Sequence, residues 1–288
     1  VKNQHLQHIV ELNLAVLLIS TSGVLGRYIS TPPPITIWWR CLFALVCIAV
    51  FIRYQKIGLK IRSGKDLGVI LLGGVCFGAH WVTYFYALKL SNVAIGMLAV
   101  FTYPIITVLL EPLFFKTRIS ITHLLLGGLV LIGIYFLSPE MSLENTQVKG
   151  LIFGIISAFF YAVRNILMKK KVATYHGSLL MFYQMLVVIA LLWPAFFFFE
   201  ASPSGNDWLA LGTLALLTTA VGHTLFVMSF KHFSIGTASI MSSIQPVYGI
   251  VFGILLLDEV PDLKTMVGGS LILLSVLVES IQSNRPQK

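Results

Sequence analysis

The feature that most limits what this chain can fold into is a succession of long apolar runs separated by short polar connections. A helix needs about 20 apolar residues to cross a hydrocarbon core. Runs of that kind cover 9–29, 34–52, 67–88, 92–115, 121–138, 149–168, 177–199, 208–230, 235–257 and 264–282. All ten read as helices, because an open sheet in lipid leaves backbone donors and acceptors unpaired. Of the 288 residues, 57% are hydrophobic and 11% charged, too few charges to cover the surface of a water-soluble domain of this length. The expected fold class is an all-α integral membrane protein of ten transmembrane helices, with no room for a separate soluble domain.

The run from Ile9 is read as a spanning helix rather than a cleaved leader, since no small-residue cleavage pattern follows it. Cys41, Cys47 and Cys76 all fall inside spans and read as small apolar side chains, not as a disulfide framework. The net charge of +9 suggests a nucleic-acid partner until its position is considered. With the N-terminus in the cytoplasm, 14 of the 20 Lys and Arg lie on that side, including Arg53 to Lys65 and Lys169 to Lys171. The other side holds Lys89, Lys149 and Lys264, while Arg27, Arg40 and Arg164 lie within spans. This is the positive-inside pattern. It predicts a multi-pass protein of the inner (cytoplasmic) membrane with both termini cytoplasmic, and it excludes nucleic acid as a partner.

The two halves resemble each other. Ser20 and Arg27 are matched by Ser157 and Arg164, Lys89 and Pro104 by Lys231 and Pro246, and Gly127-Gly128 by Gly268-Gly269. These landmarks divide the chain into five-helix units at 1–143 and 144–288. Five crossings is an odd number, so the second unit enters from the opposite face and the repeat is inverted. Inverted repeats let one scaffold open to either side of a site near the midplane, as secondary transporters do.

The segments Ala87-Leu88-Lys89 to Tyr103-Pro104, and Ser229-Phe230-Lys231 through Gln245-Pro246 to Asp258-Glu259, resemble the repeated marks of the EamA-like branch of the drug/metabolite transporter superfamily. The first half departs from that pattern, carrying Lys116-Thr117-Arg118 where the family often has an acidic end. The resemblance implies a ten-helix fold that moves small organic solutes through a cavity lined by helices one to four and six to nine. Helices five and ten would sit behind it, often at homodimer contacts.

Polar groups inside spans face the bundle interior or a water-filled cavity by default. On the third span His80 and Tyr84 are four residues apart, hence on one face, with Trp81 adjoining. They read either as an aromatic wall for a solute or as a packed cluster with satisfied polar tips. His80 can also carry a proton, and His223 is its near-counterpart in the second half. Pro104 and Pro246 predict bends that present Tyr103, Gln245 and Tyr248 to a cavity. Arg40, after Trp38-Trp39, either binds a carboxylate or phosphate or snorkels to the interface. Arg27 and Arg164 lie nearer the span ends and are expected to snorkel, whereas Tyr161 lies deeper and is a cavity candidate. Glu111, before Pro112, is either a gate or proton site or a local ion pair with Lys116 or Arg118. Asp258-Glu259 and the lysines at 169–171 are expected to be solvated or interfacial caps.

No HExxH, Asp-rich or GxSxG pattern is present, so no enzyme, metal or cofactor is implied. A carrier of small organic metabolites is expected, amino acids or related solutes with export as the direction. A channel, a scaffold and a membrane-embedded enzyme are the competing classes.

Overall fold

The computed structural model describes residues 2–115, 121–137, 144–233 and 244–283, with 238 and 242. All regular secondary structure among them is helical. The helices are α1 (Lys2–Tyr28), α2 (Pro33–Tyr54), α3 (Gly64–Leu90), α4 (Val93–Val100), α5 (Tyr103–Phe115), α6 (Ile121–Leu137), α7 (Thr146–Val172) and α8 (Gly177–Leu192). They are followed by α9 (Asp207–Thr213), a π-helical stretch Leu214–His223, α10 (Thr224–Ser229), α11 (Gln245–Leu257) and α12 (Leu263–Ser283). Six continuous helical segments among the described residues are long and apolar enough to cross a membrane, and shorter apolar helices cover Val93–Thr107, Leu125–Leu137, Gln245–Leu257 and Leu263–Val278. The outer surface exposes large apolar side chains such as Leu125, Leu131, Leu255 and Leu256. Lipid covers such a surface without cost, whereas water does not.

Local chemistry sets the helix boundaries. Pro33 and Pro34 open α2, where their missing N–H groups would be unpaired anyway. Ser63, Asn92 and Asn145 cap α3, α4 and α7 by accepting from the backbone N–H of Asp66, Ile95 and Gln147, each cap contributing about 1 kcal/mol. The fourth apolar run, read as one helix, is broken. Pro104 has no N–H to return to the Val100 carbonyl, so α4 ends at Val100 and α5 starts at Tyr103. At the break Thr102 donates to the Ala99 carbonyl from both its backbone N–H, at 3.3 Å, and its Oγ1, at 2.8 Å.

The centre of the bundle is the packing of α3 on α7, with α8 and α2 alongside and α1 against the π-helical stretch and α11. Helices α6 and α12 pack chiefly on each other. A Cβ at Gly268 would lie 2.6 Å from the Gly133 carbonyl, so the two backbones touch where a side chain would separate them. That pair stands outside the polar centre.

Candidate functional site

Helix α3 supplies the floor of a buried cavity because Phe77, His80, Trp81 and Tyr84 recur at three- and four-residue spacing along one face. Opposite them stand Tyr161 of α7, His223 at the end of the π-helical stretch and Gln245 at the start of α11, with Ser22, Met97 and Phe101 closing the space. The cavity volume is about 20 Å³, room for a water molecule and not for an organic solute. This is a closed state.

The aromatic groups are stacked closely. The rings of His80 and Tyr161 are 4.3 Å apart and nearly parallel, and His80 and Tyr84 are parallel at 6.1 Å. His80 Nδ1 lies 2.7 Å from Ser157 Oγ and 3.2 Å from the Ser157 carbonyl. A carbonyl only accepts, so Nδ1 carries the hydrogen, while Ser157 Oγ donates back to the His80 carbonyl at 2.8 Å.

Two arginines lie behind this wall, both without solvent exposure. Arg40 stacks on Trp81, its guanidinium carbon 4.1 Å from the ring centroid, and Arg164 stacks on Phe77 at 4.0 Å. Arg40 Nε donates to Thr219 Oγ1 at 2.6 Å and Nη2 to Thr218 Oγ1 at 3.2 Å. Adjacent residues of a regular α-helix diverge by about 100°, and the wider π turn lets both hydroxyls face one guanidinium. Arg164 donates to Gln184 Oε1 at 2.8 Å, Asn165 Oδ1 at 3.1 Å and Met181 Sδ at 3.2 Å. Neither makes an ion pair with a described carboxylate. Interfacial snorkelling, expected for Arg164 and one of two readings for Arg40, is therefore corrected. Stacking and polar partners hold both charges inside.

The ends of the bundle are tied. Asp258, in a left-handed conformation, stops α11 and turns Glu259 inward. Arg27 Nε then pairs with Glu259 Oε1 at 2.8 Å, and Glu259 Oε2 accepts from Val93 N at 2.8 Å. Lys89 Nζ donates to the carbonyls of Arg27 and Ile29. Glu259 is thus a cross-link between distant segments, not the solvated cap expected. At the other end Lys171 pairs with Asp66, which also accepts from Tyr175 Oη at 2.6 Å, and Lys169 Nζ donates to the Phe230 carbonyl at 2.7 Å.

Of the residues singled out in the sequence, His80, Trp81, Tyr84, Tyr161, His223 and Gln245 come together around the cavity, and Arg40 backs it. Tyr103 stands beside them, edge-on to Tyr161 at 4.8 Å, its hydroxyl 2.9 Å from Ser242 Oγ. Tyr248 is half-buried in the apolar core and does not line the cavity. Pro104 marks the break before α5, and Pro246 lies buried in the first turn of α11. The side chain of Glu111 and the residues Lys116 and Arg118 lie outside the described residues. Sequence reasoning passed over Ser157, Phe77, Thr218 and Thr219. Ser157 was visible as a repeat landmark, and the threonine pair as adjacent hydroxyls in an apolar run.

A helical bundle with apolar outer walls and a polar, aromatic centre defines the class: a multi-pass membrane protein. The model of the EamA-like transporter family matches residues 9–138 and 148–281. The chain belongs to the EamA-like transporter family, whose work is transport and not catalysis. It is 28% identical over 267 residues to an uncharacterized transporter of Archaeoglobus fulgidus, covering 92% of this chain and 93% of that protein. It is 26% identical over 276 residues to the pseudopaline exporter CntI of Pseudomonas aeruginosa, covering 93% and 94%. The inner membrane transporter YicL of Salmonella typhimurium is 27% identical over 285 residues, with 94% of each covered. A solved crystal structure shares the fold with a TM-score of 0.72 at 18% identity, covering 98% of this chain and 99% of that one.

Proposed function

We propose that this chain is a secondary transporter that exports small organic metabolites, amino acids or related solutes, across the cytoplasmic membrane by alternating access. The carrying observation is the central cavity. His80, Trp81 and Tyr84 from the first half meet Tyr161, His223 and Gln245 from the second, and polar ties close the bundle at each end. A site between two halves, sealed on both sides, suits a carrier that opens one side at a time. In this reading α4 and α5 together form the fourth of ten crossings, the second five helices invert the first, and both termini are cytoplasmic. The two family-model matches and the paired Ser-Arg and Lys-to-Pro landmarks support the repeat. The outlying α6 and α12 are the proposed faces of a homodimer, since they pack chiefly on each other and leave Leu131 and Tyr135 exposed.

The test is counterflow in proteoliposomes with a panel of labelled metabolites, with and without a pH gradient. A carrier accelerates entry of labelled solute when unlabelled solute waits inside. Entry insensitive to the trapped solute overturns alternating access and leaves a channel.

A further inference from the structure

Two buried polar atoms around the cavity, Arg40 Nη1 and His223 Nδ1, have no hydrogen-bond partner, and Tyr84 Oη beside them has at most the hydroxyl of Ser22. Tyr84 and His223 line the cavity, and Arg40 lies on the ring of Trp81, which also lines it. A buried donor left unpaired is costly, more so when charged, so such atoms gathered around one cavity are unfavourable unless something else fills them. The three can donate together. The Arg40 nitrogen only donates, the tyrosine hydroxyl can donate, and Nδ1 of His223 donates in the tautomer that carries its hydrogen there.

Charge points the same way. Arg40 and Arg164 place two positive charges behind the wall, and no described carboxylate lines it. A cation, or the ammonium of a zwitterion, meets no counter-charge there. Nε and Nη2 of Arg40 each already donate to a threonine, which leaves Nη1 as its one nitrogen without a partner. The single negative charge of a carboxylate matches that one free charged nitrogen better than a phosphate, whose charge is about −1.5 to −2. Trp81, Tyr161 and Phe101 offer flat apolar surface for the rest of the molecule.

We propose that the cavity takes a net-anionic organic acid with an aromatic or apolar body. Its carboxylate is received by Arg40 Nη1, Tyr84 Oη and His223 Nδ1, and its body lies against Trp81 and Tyr161. This rests on the transporter reading above and narrows its solutes to net-anionic organic acids, setting zwitterionic amino acids aside. It also separates the two arginines: each nitrogen of Arg164 has a protein partner, whereas Nη1 of Arg40 has none and is left for the solute.

The full chain in lipid nanodiscs, probed by thermal unfolding, tests the assignment with four phenyl compounds: 3-phenylpropionate, phenylalanine, 3-phenylpropylamine and phenyl phosphate. The expected result is stabilisation by 3-phenylpropionate at concentrations where the other three do little. Arg40→Gln should weaken that binding about tenfold or more, the loss of one charge-assisted hydrogen bond. Tyr84→Phe keeps the ring and should weaken it about threefold or more, which covers the case in which Arg40→Gln fails to fold. Equal binding of the amine or of phenylalanine, tighter binding of phenyl phosphate, binding unchanged in Tyr84→Phe, or no binding of any of the four overturns the proposal. Counterflow with labelled 3-phenylpropionate separates it from the transport reading. Binding without counterflow removes transport and leaves the anion site, whereas counterflow of the amine alone removes the anion site and leaves transport.

Discussion

Arg40 and Arg164 stack on neighbouring rings of one helix face, Trp81 and Phe77, whose centroids are 3.8 Å apart. Both are fully buried, and neither pairs with a described carboxylate. They differ in what satisfies their nitrogens. Arg164 draws its partners from its own helix and the next, Asn165 on α7 with Gln184 and Met181 on α8. Arg40 reaches from the first half of the chain to Thr218 and Thr219 in the second, and one of its nitrogens stays unpaired. In the proposed reading, a buried charge whose nitrogens all have local partners serves the fold, and one held across the halves with a nitrogen unpaired serves transport.

The largest expected effect breaks this comparison if it is mistaken. Arg164→Gln strands Gln184 Oε1 and Asn165 Oδ1 in the core, at about 1–3 kcal/mol for each acceptor left unpaired, so the unfolding temperature in detergent and the yield of inserted protein should fall sharply. Arg40→Gln strands two hydroxyls that already donate or bond to the Leu214 carbonyl, and it should insert normally while transport collapses. The reverse pattern, a stable inactive Arg164 variant and an unfolded Arg40 variant, removes the distinction.

The apolar runs made the membrane class legible, and the cost of polar groups in lipid made His80, Trp81, Tyr84, Tyr161, His223 and Gln245 legible as one site. The arginines were not. Snorkelling was inferred from distance to the span end, but the outcome depends on what the side chain meets inside. Gln184 and the ring of Phe77 come from other parts of the chain, and no spacing in the sequence announces them. The Thr218-Thr219 contact depends on a π-helical stretch, which leaves no mark in hydrophobic periodicity. Tyr248, placed at the cavity by its nearness to Pro246, packs into the core because its position on α11 turns it elsewhere. The break at Pro104 was legible as a bend, since a missing N–H is a property of the residue itself.

A third arginine sharpens the comparison at intermediate effect. Arg27 is the sequence counterpart of Arg164, yet it lies at the end of the bundle and has a carboxylate, Glu259, as its partner. Both side chains keep some exposure, 32% and 21%, so the pair adds about 1 kcal/mol or less to stability. In the proposed reading the pair holds that end shut. Glu259→Gln should leave the unfolding temperature nearly unchanged and speed labelled-solute exchange in counterflow. A large fall in stability with no change in exchange makes Arg27 a structural residue like Arg164.

The smallest expected effect comes from Tyr103, which stands between the broken helix and the cavity. Its hydroxyl meets Ser242 across the two halves at 2.9 Å, and its ring meets Tyr161 edge-on. Tyr103→Phe keeps the ring and removes the hydroxyl, a neutral hydrogen bond contributing about 0.5–1.5 kcal/mol. Insertion should be normal and the transport rate at saturating solute should fall about threefold, with the apparent affinity little changed. A loss of affinity as large as that of Arg40→Gln would place Tyr103 in contact with the solute. The anion site would then extend from the α3 wall to the break between α4 and α5.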